Sequence, residues 1–139
     1  MKLVTLSDLH IGKWGTYGLD MLEKAESMRG DVLWLNGDII EPGNGVDERA
    51  IFTRIGKMKG NNFEHIVWVA GNNCLELDCV SGSLHERLLN LSKHLGSEGI
   101  VLLDEGIVEI RDHCLVGSIG WYNGDLWVES SPDRDWETV

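Results

Sequence analysis

Three short stretches of the chain carry side chains that can act together. They are Ser7-Asp8-Leu9-His10, Asn36-Gly37-Asp38 and Ala70-Gly71-Asn72-Asn73. Asp8 and His10 are two apart, so an extended segment turns them to the same side. One carboxylate and one imidazole on one side can hold a metal ion. Asp38 can bridge that ion to a second, for which the Asn72 carbonyl oxygen is a suitable neutral ligand. Mixed oxygen and nitrogen donors favour hard or borderline divalent ions (Mn, Fe, Zn, Co or Mg) over copper(I). The glycines before Asp38 and Asn72 let the backbone turn sharply and approach a ligand closely. Singly, each residue is ordinary: an Asp after a strand is usually a cap, and a lone His is usually a surface or core residue. The three stretches in this order, each closing an apolar run, are far more specific.

The elements that must position these residues alternate between strand and helix. Lys2–Leu6, Val32–Leu35 and Ile66–Ala70 are short apolar runs rich in strand formers. Between them, Met21, Leu22, Ala25 and Met28 fall at helical spacing before Gly30, and Ala50, Ile51, Ile55 and Met58 do so before Gly60. Ser83 and Glu86 make a capping box ahead of Leu84, Leu88, Leu91 and Leu95, with Gly96 as the expected stop. Ile100–Leu103, Ile107–Ile110 and Cys114–Ile119 read as late strands, with a turn at residues 111–113. Continuous apolar strands alternating with helices predict an α/β fold whose first sheet is mostly parallel and covered on both faces, and the late strands predict an antiparallel extension or a second sheet. Ligands of such sheets gather at the carboxyl ends of the strands, where Asp8, His10, Asp38 and Asn72 all fall.

The composition is that of a globular domain, with 42% hydrophobic and 25% charged residues among 139. The formal net charge is −11, which disfavours unaided binding to nucleic acid and to anionic lipid. An anionic substrate then needs added positive charge, which a divalent metal provides. No apolar run is long enough for a membrane span, and the first residues read as a strand rather than a leader. Three cysteines (Cys74, Cys79 and Cys114) are too few for a disulfide framework, and the expectation is a reduced, cytoplasmic protein.

Together the motifs resemble those of the calcineurin-like metallophosphoesterases. Ser7-Asp8-Leu9-His10, Gly37-Asp38-Ile39-Ile40-Glu41 and Gly71-Asn72-Asn73 follow that family's D-x-H, G-D-x-x-D/E and G-N-H-D/E blocks, and Val116–Trp121 is similar to its next strand. The resemblance covers roughly residues 1–125. It implies the front part of a four-layer α/β/β/α sandwich that hydrolyses phosphoesters with a metal-activated hydroxide at a dinuclear site. Asp8 and His10 would bind the first ion, Asp38 would bridge, and Asn72 would bind the second. Glu41 would sit behind the ligands rather than among them.

Two departures from the family pattern stand out. Asn73 occupies the position of the family's histidine, which contacts phosphate and is often assigned as the proton donor, and Cys74 follows where an acid is usual. An amide donates a hydrogen bond but no proton at neutral pH. The later histidine blocks, including G-H-x-H, are missing: His65, His85, His94 and His113 all lie in the wrong context. The expected reading is therefore one incomplete domain over residues 1–139, with a half-built or impaired site. The alternative is a non-catalytic binding scaffold for a protein partner. Gly12, Gly15 and Gly18 form a loop of neither dinucleotide nor Walker spacing, read as a flexible rim able to contact substrate. Trp34 and Trp68 are expected in the core, and Trp14 and Trp121 near the rim, where they could line a pocket. Ser130-Ser131-Pro132 reads as a helix start, in keeping with the front portion of a longer protein.

Overall fold

Four of the apolar runs form one parallel sheet in the computed structural model, which describes residues 1–119. They are β1 (Leu3–Leu6), β2 (Gly30–Asn36), β3 (Phe63–Val69) and β4 (Val101–Leu102), joined in turn by α1 (Tyr17–Glu26), α2 (Glu48–Gly56) and α3 (Leu84–Ser97). The spatial order β1-β2-β3-β4 is the chain order. Strands that step one way across a sheet through right-handed crossovers place their helices on one face. Accordingly Leu22 and Ala25 of α1, Phe52 and Ile55 of α2, and Leu91 and Leu95 of α3 pack in one cluster with Leu33, Leu35, Ile66 and Trp68. On the other face, Val32, Val67 and Val69 pack with Leu103 and with an antiparallel pair, β5 (Val108–Ile110) and β6 (His113–Leu115). The sheet is thus mostly parallel and covered on both faces, but by helices on one and by the antiparallel pair on the other.

Several boundaries differ from the sequence reading. Gly30 does not end a helix: α1 stops at Glu26, and Gly30 opens β2 where a side chain would press on the Lys2 carbonyl and the Phe63 ring. The capping box at Ser83 forms as expected. Yet α3 runs through Gly96 to Ser97, and Leu84 is 46% exposed while Leu91 and Leu95 are fully buried. The first leucine of the stripe lies in the first turn, before the helix reaches the core. Residues 111 and 112 make the β5–β6 turn, and His113 already belongs to β6; residues 116–119 are not strand. Trp68 is fully buried and Trp34 packs partly buried on the second cluster. Trp121, Trp127, Trp136 and the helix start at Ser130–Pro132 lie outside the described residues. Among the described residues no helix is long and apolar enough to cross a membrane.

Arg54 of α2 clasps Glu26 of α1 through two hydrogen bonds of 2.6 and 2.9 Å, which hold the Glu26 carboxyl below its ordinary range. A carboxyl lowered on folding contributes stability above its unfolded value, and that contribution fades as pH falls through the folded one. The burial pattern gives a sharper test. Leu95→Ala should destabilise the chain by about 2–5 kcal/mol, the range for a closed core site. Leu84→Ala should change stability by less than about 0.5 kcal/mol. Denaturant midpoints of the two variants measure this, and equal losses would contradict the observed packing.

Candidate metal centre

The three polar stretches meet beyond the carboxyl ends of β1, β2 and β3. After β1 ends, the chain keeps pairing with the segment after β2, but irregularly. The Asp8 N–H donates to the Gly37 carbonyl (3.1 Å), His10 N–H to the Asp38 carbonyl (2.9 Å) and Ile11 N–H to the Ile39 carbonyl (2.9 Å). In this stretch Asp8, His10 and Asp38 have φ of 52°, 42° and 48°. Among the described residues the one other non-glycine at positive φ is Arg111, in the β5–β6 turn. Such backbone costs roughly 1–3 kcal/mol per residue and persists where its surroundings hold it. Here apolar neighbours do the holding: Leu9 and Ile11 are 2% exposed, and Ile39 and Ile40 are 0% and 1% exposed. Polar and buried residues alternate from Asp8 to Ile11, and Ile39 and Ile40 are buried between Asp38 and Glu41, so each candidate ligand here is flanked by a side chain sunk in the core.

The result is a tight group. One ligand atom from each of Asp8, His10 and Asp38 lies within 4.8 Å of the others. His10 Nε2 is 4.0 Å from Asp8 Oδ1. On its other side, His10 Nδ1 is 2.7 Å from Glu41 Oε2. A carboxylate accepts and does not donate, so the ring hydrogen is assigned to Nδ1 and the Nε2 lone pair is left for an ion. Asp38 Oδ1 accepts the backbone N–H of Asn73 at 2.9 Å. With the Asn72 amide turned to satisfy its neighbours, Nδ2 lies 3.2 Å from Asp38 Oδ2. That separation matches neighbouring ligands on one octahedral ion, about 3 Å for bonds of about 2.1 Å. Turning the amide over presents its oxygen instead. A cleft of about 330 Å³ opens here, lined by Asp8, Asp38, Gly71, Asn72, Ser118 and Ile119.

Gly71 makes this approach possible. A Cβ there would fall 2.2 Å from Asp38 Oδ1 and 2.6 Å from the Asp38 nitrogen, so no larger residue fits beside the carboxylate as placed. Glu41 gathers the remaining groups. Its Oε1 pairs with Lys13 Nζ at 3.0 Å, and its Oε2 accepts from Asn73 Nδ2 at 2.9 Å as well as from His10. Chiefly through the Lys13 hydrogen bond, and then through His10, the Glu41 carboxyl is held below its ordinary range. Asp104 braces the rim by accepting the Ala70 N–H at 2.8 Å and also the Ile119 N–H.

The structure therefore brings Asp8, His10, Asp38, Asn72 and Asn73 together, but not by the route expected for the first pair. Asp8 and His10 share a side because both are left-handed in φ, not because the segment is extended. Asn73 grips Glu41 and, through its backbone, Asp38. Cys74, next to it, is buried, and burial pushes its thiol up, leaving it a core residue. Cys79 is likewise pushed up, to about 12. His65, His85, His94 and His113 are not part of the group. Lys13 is a participant with no mark in the sequence motifs: it lies in the glycine loop, and its partner Glu41 is 28 positions away.

No protein-family model matches the chain, and no curated protein matches it. Among solved structures it is similar to the phosphopantetheinyl hydrolase of Mycobacterium tuberculosis, with 21% identity and a TM-score of 0.53 over 79% of this chain. The chain spans 38% of that protein's length. The chain thus shares the fold of a hydrolase over most of its described residues.

Two substitutions test the group as a metal centre. Gly71→Ala displaces the Asp38 carboxylate, and Glu41→Gln removes the charge behind His10. Each should weaken Mn²⁺ binding by about 10–100-fold in calorimetric titration while the chain stays folded by circular dichroism. Unchanged affinity in both would separate these residues from metal binding.

Proposed function

We propose that this chain carries the site of a metal-dependent phosphoester hydrolase of the calcineurin-like type. One observation carries the reading: three of the four described non-glycine residues at positive φ are Asp8, His10 and Asp38, whose ligand atoms cluster within 4.8 Å. Backbone strain gathered on potential ligands favours a site over a turn. Asp8 and His10 would hold one divalent ion, Asp38 would bridge, and Asn72 would hold a second. Ions held there would supply charge neutralisation for the phosphoryl oxygens and an activated water as nucleophile. The charge balance fits that need. Asp8, Asp38, Glu41 and Asp104 stand against one ammonium, Lys13, so the bare rim is formally −3 and repels an anionic ester.

The chain's own residues set how the ester leaves. Glu41 fixes the His10 ring, and the Asn73 backbone fixes Asp38. The Asn73 side chain can donate a hydrogen bond but holds no proton to give to a departing alkoxide. Hydrolysis then favours leaving groups that depart as stable anions. The same reading takes residues 1–139 as an incomplete domain, the front part of a four-layer α/β/β/α sandwich. The helices, the parallel sheet and the antiparallel pair support it.

Chelation should abolish hydrolysis of an aryl phosphate, and Mn²⁺ should restore it. Across a series of aryl and alkyl esters, rates should fall steeply as the leaving-group pKa rises. Asn73→His should flatten that slope and raise alkyl-ester turnover by roughly 10², the usual size of a general-acid contribution. Equal slopes in both proteins would show that position 73 does not host the proton donor. Bound metal with no hydrolysis by either protein would favour the alternative, a binding scaffold for a protein partner.

A further inference from the structure

We propose that Lys13 and Trp14 form the subsite that recognises the substrate, and that the substrate is the phosphate ester of a phenol. This deepens the phosphoesterase reading and rests on it. Lys13 and Trp14 sit between Gly12 and Gly15, whose φ values are 104° and 61°. The turn is pinned rather than loose. The Lys13 N–H donates to the His10 carbonyl at 2.9 Å, the Tyr17 N–H to the Trp14 carbonyl at 3.3 Å, and a Cβ on Gly12 would meet Val46 at 2.4 Å. Lys13 is thereby fixed one turn from a candidate ligand.

Its ammonium is aimed from two directions. Nζ pairs with Glu41 Oε1 at 3.0 Å and lies 5.4 Å from the centre of the Trp14 ring. The Glu41 carboxylate is shared among His10, Asn73 and Lys13, whereas an ammonium has three N–H donors and the Lys13 side chain is 41% exposed. Lys13 therefore has donors to spare for a phosphoryl oxygen while it holds Glu41, on the Glu41 side of the group rather than in the cleft lined by Asp8, Asp38 and Asn72. Because Asn73 is neutral, Lys13 is, among the described residues, the cation seen paired on this flank of the centre.

Trp14 is 59% exposed beside the Lys13 ammonium, and Tyr17, whose N–H donates to the Trp14 carbonyl, is 55% exposed. An indole face takes up a flat aromatic group by stacking. Asn73 leads to the same class of ester independently, since a phenol departs without a donated proton far more readily than an alkanol does.

The test compares phenyl phosphate with an alkyl phosphate on the Mn²⁺-loaded full chain and on Lys13→Met, Lys13→Arg, Trp14→Ala and Trp14→Phe. Trp14→Ala should lower the aryl-to-alkyl ratio of kcat/KM about tenfold, and Trp14→Phe should restore most of it. Lys13→Met should raise KM about tenfold with a smaller change in kcat, and Lys13→Arg should recover most of the loss. Mn²⁺ affinity, titrated separately, should stay within about twofold in both Trp14 variants and in Lys13→Arg, which keeps the charge beside Glu41. An unchanged aryl-to-alkyl ratio in Trp14→Ala overturns the proposal. So does weakened Mn²⁺ binding with unchanged KM in Lys13→Met, which would mean that Lys13 acts through Glu41 on His10. If the unmodified chain binds Mn²⁺ but hydrolyses neither ester, the phosphoesterase reading fails and calorimetry decides the subsite. Phenyl phosphate binding that is lost in Lys13→Met keeps it, and no binding at all overturns it.

Discussion

The Asp38 carboxylate lies against the bare backbone of Gly71, and the candidate centre depends on that contact. Oδ1 sits where a Cβ of residue 71 would be and accepts the Asn73 N–H at 2.9 Å, which leaves Oδ2 turned toward Asn72. Asp38 is also the point where the chain after β1 is stitched to the chain after β2, through its carbonyl and the His10 N–H. One residue thus joins all three strand ends. Any shift of the third loop moves Asp38, and any shift of Asp38 moves His10.

The strain at Asp8, His10 and Asp38 is held by burial. Positive φ at three non-glycine residues amounts to several kcal/mol, on the order of 1–3 kcal/mol each. Sinking a side chain such as Leu9, Ile11, Ile39 or Ile40 into the core contributes about 1.5–3 kcal/mol apiece. The core therefore outweighs the strain, and the fold can hold its polar residues in a geometry they would not adopt alone. The charges work the other way. Four carboxylates, Asp8, Asp38, Glu41 and Asp104, against one ammonium repel one another across the rim, and a bound cation relieves that repulsion.

Much of this was legible in the sequence. The apolar runs marked the first three strands, and Ser83 with Glu86 marked the start of α3, because these signals are local. The stretches holding Asp8, His10, Asp38, Asn72 and Asn73 were legible because each comes directly after a strand, and parallel strands deliver their next residues to one rim. The features that stayed hidden were long-range or conformational. The left-handed backbone at Asp8 and His10 is only weakly marked in residue type: neither is glycine, although Asp and His enter that region more often than other side chains do. Gly96 looked like a stop, but nothing packs where its Cβ would be; the helix runs on to Ser97, and the left-handed glycine just past its end is Gly99, at φ 75°. The monotonic strand order, which puts every helix on one face, is a property of the crossovers and not of any one segment. The tie from Lys13 to Glu41 spans 28 positions and joins a glycine loop to the end of another motif, a pairing that no spacing rule anticipates.

The most direct test is crystallographic. Crystals of the full chain grown with Mn²⁺ should show anomalous density at about 2.0–2.6 Å from ligand atoms of Asp8, His10 and Asp38, and a second peak shared by Asp38 and Asn72. Mn²⁺ bound elsewhere, or no density at this rim at millimolar Mn²⁺, would contradict the account.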